Sequence, residues 1–234
     1  MKIGIIGSGN MGRSLGLVWA ERGHDVFFGG RDPQVTKAAA ERAAQLTGTS
    51  KATARHGTNA EAARFGDLLL YTARGVPPAE ALGEDGASAL ANKIVVDLNN
   101  QKVPNDFVFP PIATSLAERL AAAAPGAKVV KAFNTMAQET FELCPEAIRP
   151  YRVAAFVAGD DPAARATVKG LAEEIGFVPV DCGPLVHARL LEGAADLIRF
   201  LMIRQKMADA NFSLIDVPDA ANPRLGGHQP SKIS

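Results

Sequence analysis

The chain opens on its most constraining feature: an apolar run of strand length, Lys2-Ile3-Gly4-Ile5-Ile6, passes directly into Gly7-Ser8-Gly9-Asn10-Met11-Gly12. Met11, Leu15, Val18 and Trp19 then fall at helical spacing, so the segment reads as strand, tight turn and helix. Such a turn aims unpaired backbone N–H groups and the positive end of a helix dipole at one point, which favours a pyrophosphate. Each glycine has its own part in this reading. Gly7 permits the turn, Gly9 removes the side chain that would hold a dinucleotide away, and Gly12 lets the helix lie close on the strand. A GxGxxG pattern alone is weak, because glycine turns also arise for steric reasons; its position between a strand and a helix carries the dinucleotide reading.

Asp25-Val26-Phe27-Phe28-Gly29 reads as a second strand, parallel to the first through a right-handed crossover. At the tip of this strand an enzyme that uses NAD usually carries an Asp or Glu to accept hydrogen bonds from the adenosine ribose. This chain has Gly29-Gly30-Arg31 there instead. With no carboxylate at the tip, and with a planar guanidinium suited to the 2′-phosphate, the expected cofactor is NADP(H). Asp32 followed by Pro33 reads as a helix start, Asp at N-cap and Pro at N1, rather than as a ribose ligand. Lys37 is a second, weaker phosphate candidate.

Asp67-Leu68-Leu69-Leu70-Tyr71-Thr72 is continuously apolar, as a strand covered on both faces of a parallel sheet requires. Strand-like runs at 93–98, 127–133, 151–158 and 177–180 continue the alternation with helical segments. The fold class is therefore α/β, a Rossmann-type doubly wound, mainly parallel sheet. Ligands of such sheets lie beyond the carboxyl ends of the strands, which places Thr72, Ala73 and Arg74 toward the cofactor. Asn134 ends the run at 127–133. Its amide both donates and accepts, so it either meets the nicotinamide carboxamide or the substrate, or closes a strand-to-helix turn. The candidate cofactor-binding residues are Gly7, Ser8, Gly9, Asn10, Met11, Gly12, Gly30, Arg31, Thr72, Ala73 and Asn134.

A different pattern begins at Gly183-Pro184, dividing the chain into a dinucleotide-binding domain at 1–183 and a small helical C-terminal appendage with a tail at 184–234. Leu190, Leu191, Ala194, Leu197, Ile198, Leu201 and Met202 repeat at helical spacing, with Arg189, Glu192, Asp196 and Arg199 largely off that stripe. The stripe is expected to pack on the sheet, on a second copy in a homodimer, or on both. From Asn211 onward no periodicity remains, and a mobile tail is the expectation.

The 25 basic and 25 acidic residues balance, which leaves no electrostatic footprint for nucleic acid or an anionic membrane. Cys144 and Cys182 match no metal-ligand spacing. No apolar run approaches the roughly 18 residues of a membrane span, and a chain that starts on a core strand leaves no room for a signal peptide, so a cytoplasmic location is expected. No catalytic acid, base, nucleophile or metal cluster stands out.

Several segments taken together resemble the family of coenzyme F420-dependent NADP oxidoreductases over most of residues 1 to 206: the Gly7–Gly12 turn, Gly30-Arg31, Gly159-Asp160-Asp161, and Asp181-Cys182-Gly183-Pro184-Leu185 followed by Ala188-Arg189-Leu190-Leu191-Glu192. Lys131-Ala132-Phe133-Asn134-Thr135 also resembles the cytosolic NADPH-binding domain of six-transmembrane metalloreductases, which is related to the same family. The resemblance implies NADP(H) at the glycine turn and direct hydride transfer to a planar tricyclic acceptor, the deazaflavin F420 or a flavin, with no catalytic side chain. Asn134-Thr135 stands where the archaeal enzymes tend to carry a His-Thr pair, Asn99-Asn100-Gln101 fills a loop that is more apolar there, and His187 matches no fixed histidine. Two other classes open with a similar turn or use the same cofactor: a small-molecule NADP-dependent dehydrogenase or imine reductase, which usually needs a longer helical domain than Leu185 to Ala208 provides, and a non-catalytic NADP(H)-binding redox sensor.

Overall fold

Strands as apolar as Leu68-Leu69-Leu70-Tyr71 have no face to offer water, and in the computed structural model, which describes residues 1–47 and 52–215, all four are buried. Among the described residues the strands are β1 (Lys2–Ile6), β2 (Asp25–Gly29), β3 (Ala54–Gly57), β4 (Leu68–Tyr71), β5 (Ile94–Asp97), β6 (Lys128–Lys131), β7 (Ala154–Gly159) and β8 (Val178–Asp181). They form one sheet in the order β3-β2-β1-β4-β5-β6-β7-β8. Every pairing is parallel except β6 with β7. The chain runs outward from β1 through β2 to β3, then returns to the other side of β1 with β4. The direction of winding therefore reverses between β1 and β4, and the carboxyl ends of those two strands open a crevice.

The α-helices among the described residues are α1 (Asn10–Glu21), α2 (Pro33–Thr47), α3 (Asn59–Phe65), α4 (Pro78–Ala81), α5 (Leu116–Ala123), α6 (Gln138–Phe141), α7 (Pro145–Ile148), α8 (Pro162–Glu174) and α9 (Ala188–Arg199). One face of the sheet carries Ile3, Ile5, Phe28 and Val130 against Leu15 and Trp19 of α1 and Val168 and Leu171 of α8. The other carries Ile6, Leu69, Val95 and Val129 against Ala117 and Leu120 of α5 and Leu185 and Ala188 at the start of α9. Polar caps start α5 and α8. Ser115 and Glu118 form a reciprocal capping box, and the Asp161 side chain accepts from Ala164 N, with Pro162 at the first helical position.

The apolar stripe expected along α9 divides in the structure, with Leu191 and Ile198 buried. Leu190 and Leu197 point outward, 69% and 50% exposed, whereas Glu192 is fully buried and Asp196 nearly so. α9 is turned so that Glu192 meets the buried Lys131 of β6, while Asp196 pairs with Arg199 within the helix. After α9 the chain makes one π-helical turn, Phe200–Arg204, and Ser213 bridges to Val153 beside β7. Residues 216–234 of the expected tail lie outside the described residues.

Candidate functional site

Gly7 adopts φ 98°, the left-handed region that side chains rarely occupy, and a Cβ there would also lie 2.8 Å from Thr72 Oγ1. A Cβ on Gly9 would meet nothing within 4 Å, so this glycine faces open space. Gly9 is the N-cap of α1 and offers no side-chain acceptor; the helix begins with Arg13 N donating to Gly9 O at 2.8 Å. The N–H groups of Asn10, Met11 and Gly12 in the first turn thus have no intrahelical acceptor. The turn is tied to the tip of β2, because Gly7 N, Ser8 N and Ser8 Oγ all donate to Gly29 O, at 3.2, 2.9 and 2.9 Å.

Two cavities meet at this turn. One, of about 400 Å³, is walled by Gly7, Ser8, Gly9, Gly30, Arg31, Thr72, Ala73 and Arg74. The other, of about 350 Å³, is walled by Gly9, Asn10, Met11, Gly12, Thr72, Arg74, Asn99, Asn100, Asn134 and Arg199. Gly9, Thr72 and Arg74 belong to both, so the cavities are two halves of one crevice beyond β1, β2, β4, β5 and β6. Each residue put forward from the sequence as cofactor-binding lines one half or the other. Thr72 Oγ1 donates to Ile6 O at 3.1 Å and also reaches Gly7 O, bracing the turn. The exposed Arg31 guanidinium stands at the first half. Asp32 Oδ1 accepts from Gln34 N at 2.9 Å, which makes it the cap of α2. Lys37 sits away from both halves, 3.8 Å from Glu41.

At the far end, Phe133 takes φ 60°, uncommon for a bulky residue, and is locked edge-on between Trp19 and Phe141, with ring centroids 5.7 and 6.2 Å away. The next residue, Asn134, is 4% exposed. Its Nδ2 donates to Asn100 Oδ1 and to Leu191 O, each at 2.9 Å, while Asn100 Nδ2 donates to Asn134 O at 2.7 Å. Asn134 Oδ1 is buried with no partner. Buried acceptors are nearly always paired, so an unpartnered amide oxygen on a residue that lines the second half stands out.

Behind this wall lies a charged cluster that the sequence reading did not single out. Lys131 Nζ, fully buried, donates to Asp97 Oδ2 at 2.9 Å, to Glu192 Oε1 at 2.8 Å and to Asn99 O. Glu192 also accepts from Leu116 N at 2.7 Å and from Gln101 Nε2 at 3.1 Å. Asp97 Oδ1 accepts from Asn99 N at 3.1 Å and Asn99 Nδ2 at 2.6 Å. The signal in the sequence was a lysine inside the apolar run Val129-Val130-Lys131-Ala132-Phe133. Nearby, Arg199 Nη1 donates to Gln101 O at 2.6 Å and its Nη2 meets Asp196. Burial pushes the Asp196 carboxyl up, with Arg199 opposing. A more exposed link joins α9 to α5: Arg189 grips Glu118 through Nε and Nη2 at 2.8 and 2.6 Å and, together with the Ser115 N–H and hydroxyl, holds that carboxyl down to about 2.

No helix among the described residues is long and apolar enough to cross a membrane, and no cluster of three or more His, Cys, Asp or Glu among them is placed to hold a metal.

Comparison with known proteins adds to this geometry. Residues 2–101 match the family model described as NADP oxidoreductase, coenzyme F420-dependent. An F420-dependent NADP reductase of Methanothermobacter thermautotrophicus is 29% identical over 94% of this chain and 97% of its own length. The metalloreductase STEAP3 of Rattus norvegicus is 31% identical over 82% of this chain but only 36% of its own. Among solved structures, one from Arthrobacter sp. FB24, assigned as an F420-dependent NADP reductase, superposes with a TM-score of 0.69 at 30% identity, covering 92% of this chain and all of that one.

Proposed function

The chain belongs to the family of coenzyme F420-dependent NADP oxidoreductases, and on that premise we propose that it transfers a hydride between NADPH and a deazaflavin, F420, or a flavin-type acceptor. The observation that carries the nucleotide half is the fit of the crevice to NADP: an uncapped helix N-terminus at a glycine whose missing Cβ leaves open space, beside a strand tip with an arginine and no carboxylate. When bound, the nicotinamide and the acceptor ring carry the redox chemistry between them.

The chain's own residues bind and orient. The N–H groups of Asn10, Met11 and Gly12 hold the pyrophosphate, and Arg31 holds the 2′-phosphate through a charge-assisted hydrogen bond. Gly7, Ser8, Gly30, Thr72 and Ala73 shape the wall around the adenosine end. Asn134 Oδ1 accepts from the carboxamide N–H of the nicotinamide, which fixes the face that the ring presents. Met11, Leu98 and Met136 line the second half with apolar surface that excludes water. No side chain is assigned a proton transfer.

Residues 1–183 serve as the binding domain and 184–234 as its appendage. The outward Leu190 and Leu197 of α9, with Val186 just before it, support a homodimer joined through this helix.

The experiment is an NADPH oxidation assay with F420, run beside FMN, FAD and a ferric chelate, with NADH as the control donor. Rapid reduction of F420 or a flavin by NADPH alone is the expected result. NADPH that binds tightly but is consumed with none of these acceptors would sink the proposed acceptor class and favour a redox sensor.

A further inference from the structure

We propose that Lys131 is a positioning residue for the nicotinamide: through Glu192 and Asn99 it sets the orientation of the Asn134 amide, and so keeps Oδ1 as the unpartnered atom that accepts from the nicotinamide. This rests on the reading that Asn134 accepts from the carboxamide.

An asparagine amide presents either oxygen or nitrogen to a cavity, and its neighbours decide which. Here the deciding neighbours are both acceptors, Asn100 Oδ1 and Leu191 O, each 2.9 Å from Nδ2. A flipped amide would set its oxygen against two oxygens. Both acceptors are in turn placed by Lys131. An ammonium group has three donors, and all three are used, on Asp97 of β5, on the carbonyl of Asn99, and on Glu192 of α9. Asn99 directly precedes Asn100, and Leu191 directly precedes Glu192. Lys131 thus holds together the strand end that carries one acceptor and the helix that carries the other. Buried ion clusters replaced by apolar side chains often leave stability unchanged or raised, so stability alone is a weak reason for this one. Its geometry serves the amide at the end of the network.

The test measures binding of three ligands by calorimetry: NADP+, its 3-acetylpyridine analogue, which keeps a carbonyl but lacks the amide N–H, and 2′-phospho-ADP-ribose, which has no nicotinamide. Wild type is expected to prefer NADP+ over the analogue about fivefold to tenfold, as one hydrogen bond predicts. In Lys131→Met and in Glu192→Gln that preference falls below about twofold, while the affinity for 2′-phospho-ADP-ribose stays within about twofold of wild type, a split that general loss of structure does not produce. Should Lys131→Met fail to fold, shown by lost 2′-phospho-ADP-ribose binding, Glu192→Gln keeps the side-chain volume, removes one of two buried negative charges and carries the test. An undiminished preference in a variant that still binds 2′-phospho-ADP-ribose overturns the proposal alone. No preference in wild type, or a full preference in Asn134→Ala, overturns the carboxamide reading and the proposal with it.

Discussion

A Cβ built on Gly12 would lie 2.4 Å from the carbonyl oxygen of Gly7, a separation that real atoms of these kinds do not reach. The oxygen belongs to the backbone and cannot swing aside. Gly12→Ala therefore has to push α1 off β1, and the expected loss is about 1–3 kcal/mol by urea denaturation despite the better helix propensity of alanine. Gly9→Ala meets nothing and should change stability by less than about 0.5 kcal/mol, yet weaken NADPH by roughly tenfold because its methyl occupies the nucleotide's side of the turn. Equal stability losses for the two variants would refute this division between packing glycine and binding glycine.

Arg31 stands exposed at the first half of the crevice, and the proposed contact with the 2′-phosphate would separate NADPH from NADH there. A hydrogen bond to a charged group contributes about 1.5–3 kcal/mol, so Arg31→Ala should weaken NADPH on the order of tenfold to a hundredfold. NADH affinity should hardly move. Fluorescence titration of both cofactors reads the difference, and a common loss argues against a 2′-phosphate contact.

The clamp of Arg189 on Glu118 makes a prediction in acid. The Glu118 carboxyl is depressed to about 2 in the fold, by Arg189 first, against roughly 4.3 in an unfolded chain. A depressed carboxylate contributes stability that is whole above the unfolded value and lost as pH falls toward the folded one. The gap in melting temperature between wild type and Glu118→Gln should be widest near pH 7 and narrow steadily from about pH 5 to pH 2. A gap independent of pH would mean that the negative charge contributes nothing beyond the shape of the side chain.

The parts legible in the sequence are those set by neighbours along the chain. The glycine turn, the β2 tip, the Asp32 cap and the apolar strands are local, and periodicity or spacing is enough to find them. The antiparallel pairing of β7 with β6 and the rotation of α9 depend on contacts between distant segments, which periodicity does not encode. Spacing places Glu192 off the apolar stripe and says nothing of its partner, because Lys131 lies 61 positions away. A lysine among valines in a core strand is the one local trace of the cluster, and it says that a counter-charge exists without saying where.

All residues that wall the first half of the crevice fall within the first 81, whereas the second half draws on Asn99, Asn134 and Arg199. A chain emerging from the ribosome in order therefore carries the whole first half before the later part of the second half, from Leu98 to Arg199, has been made. Until α9 docks, the second half has its floor from Asn10, Met11 and Thr72 and its far wall from Asn100, Asn134 and Met136, but lacks Arg199. The ring-side wall is thus whole only once α9 has brought Arg199 against the loop at Gln101.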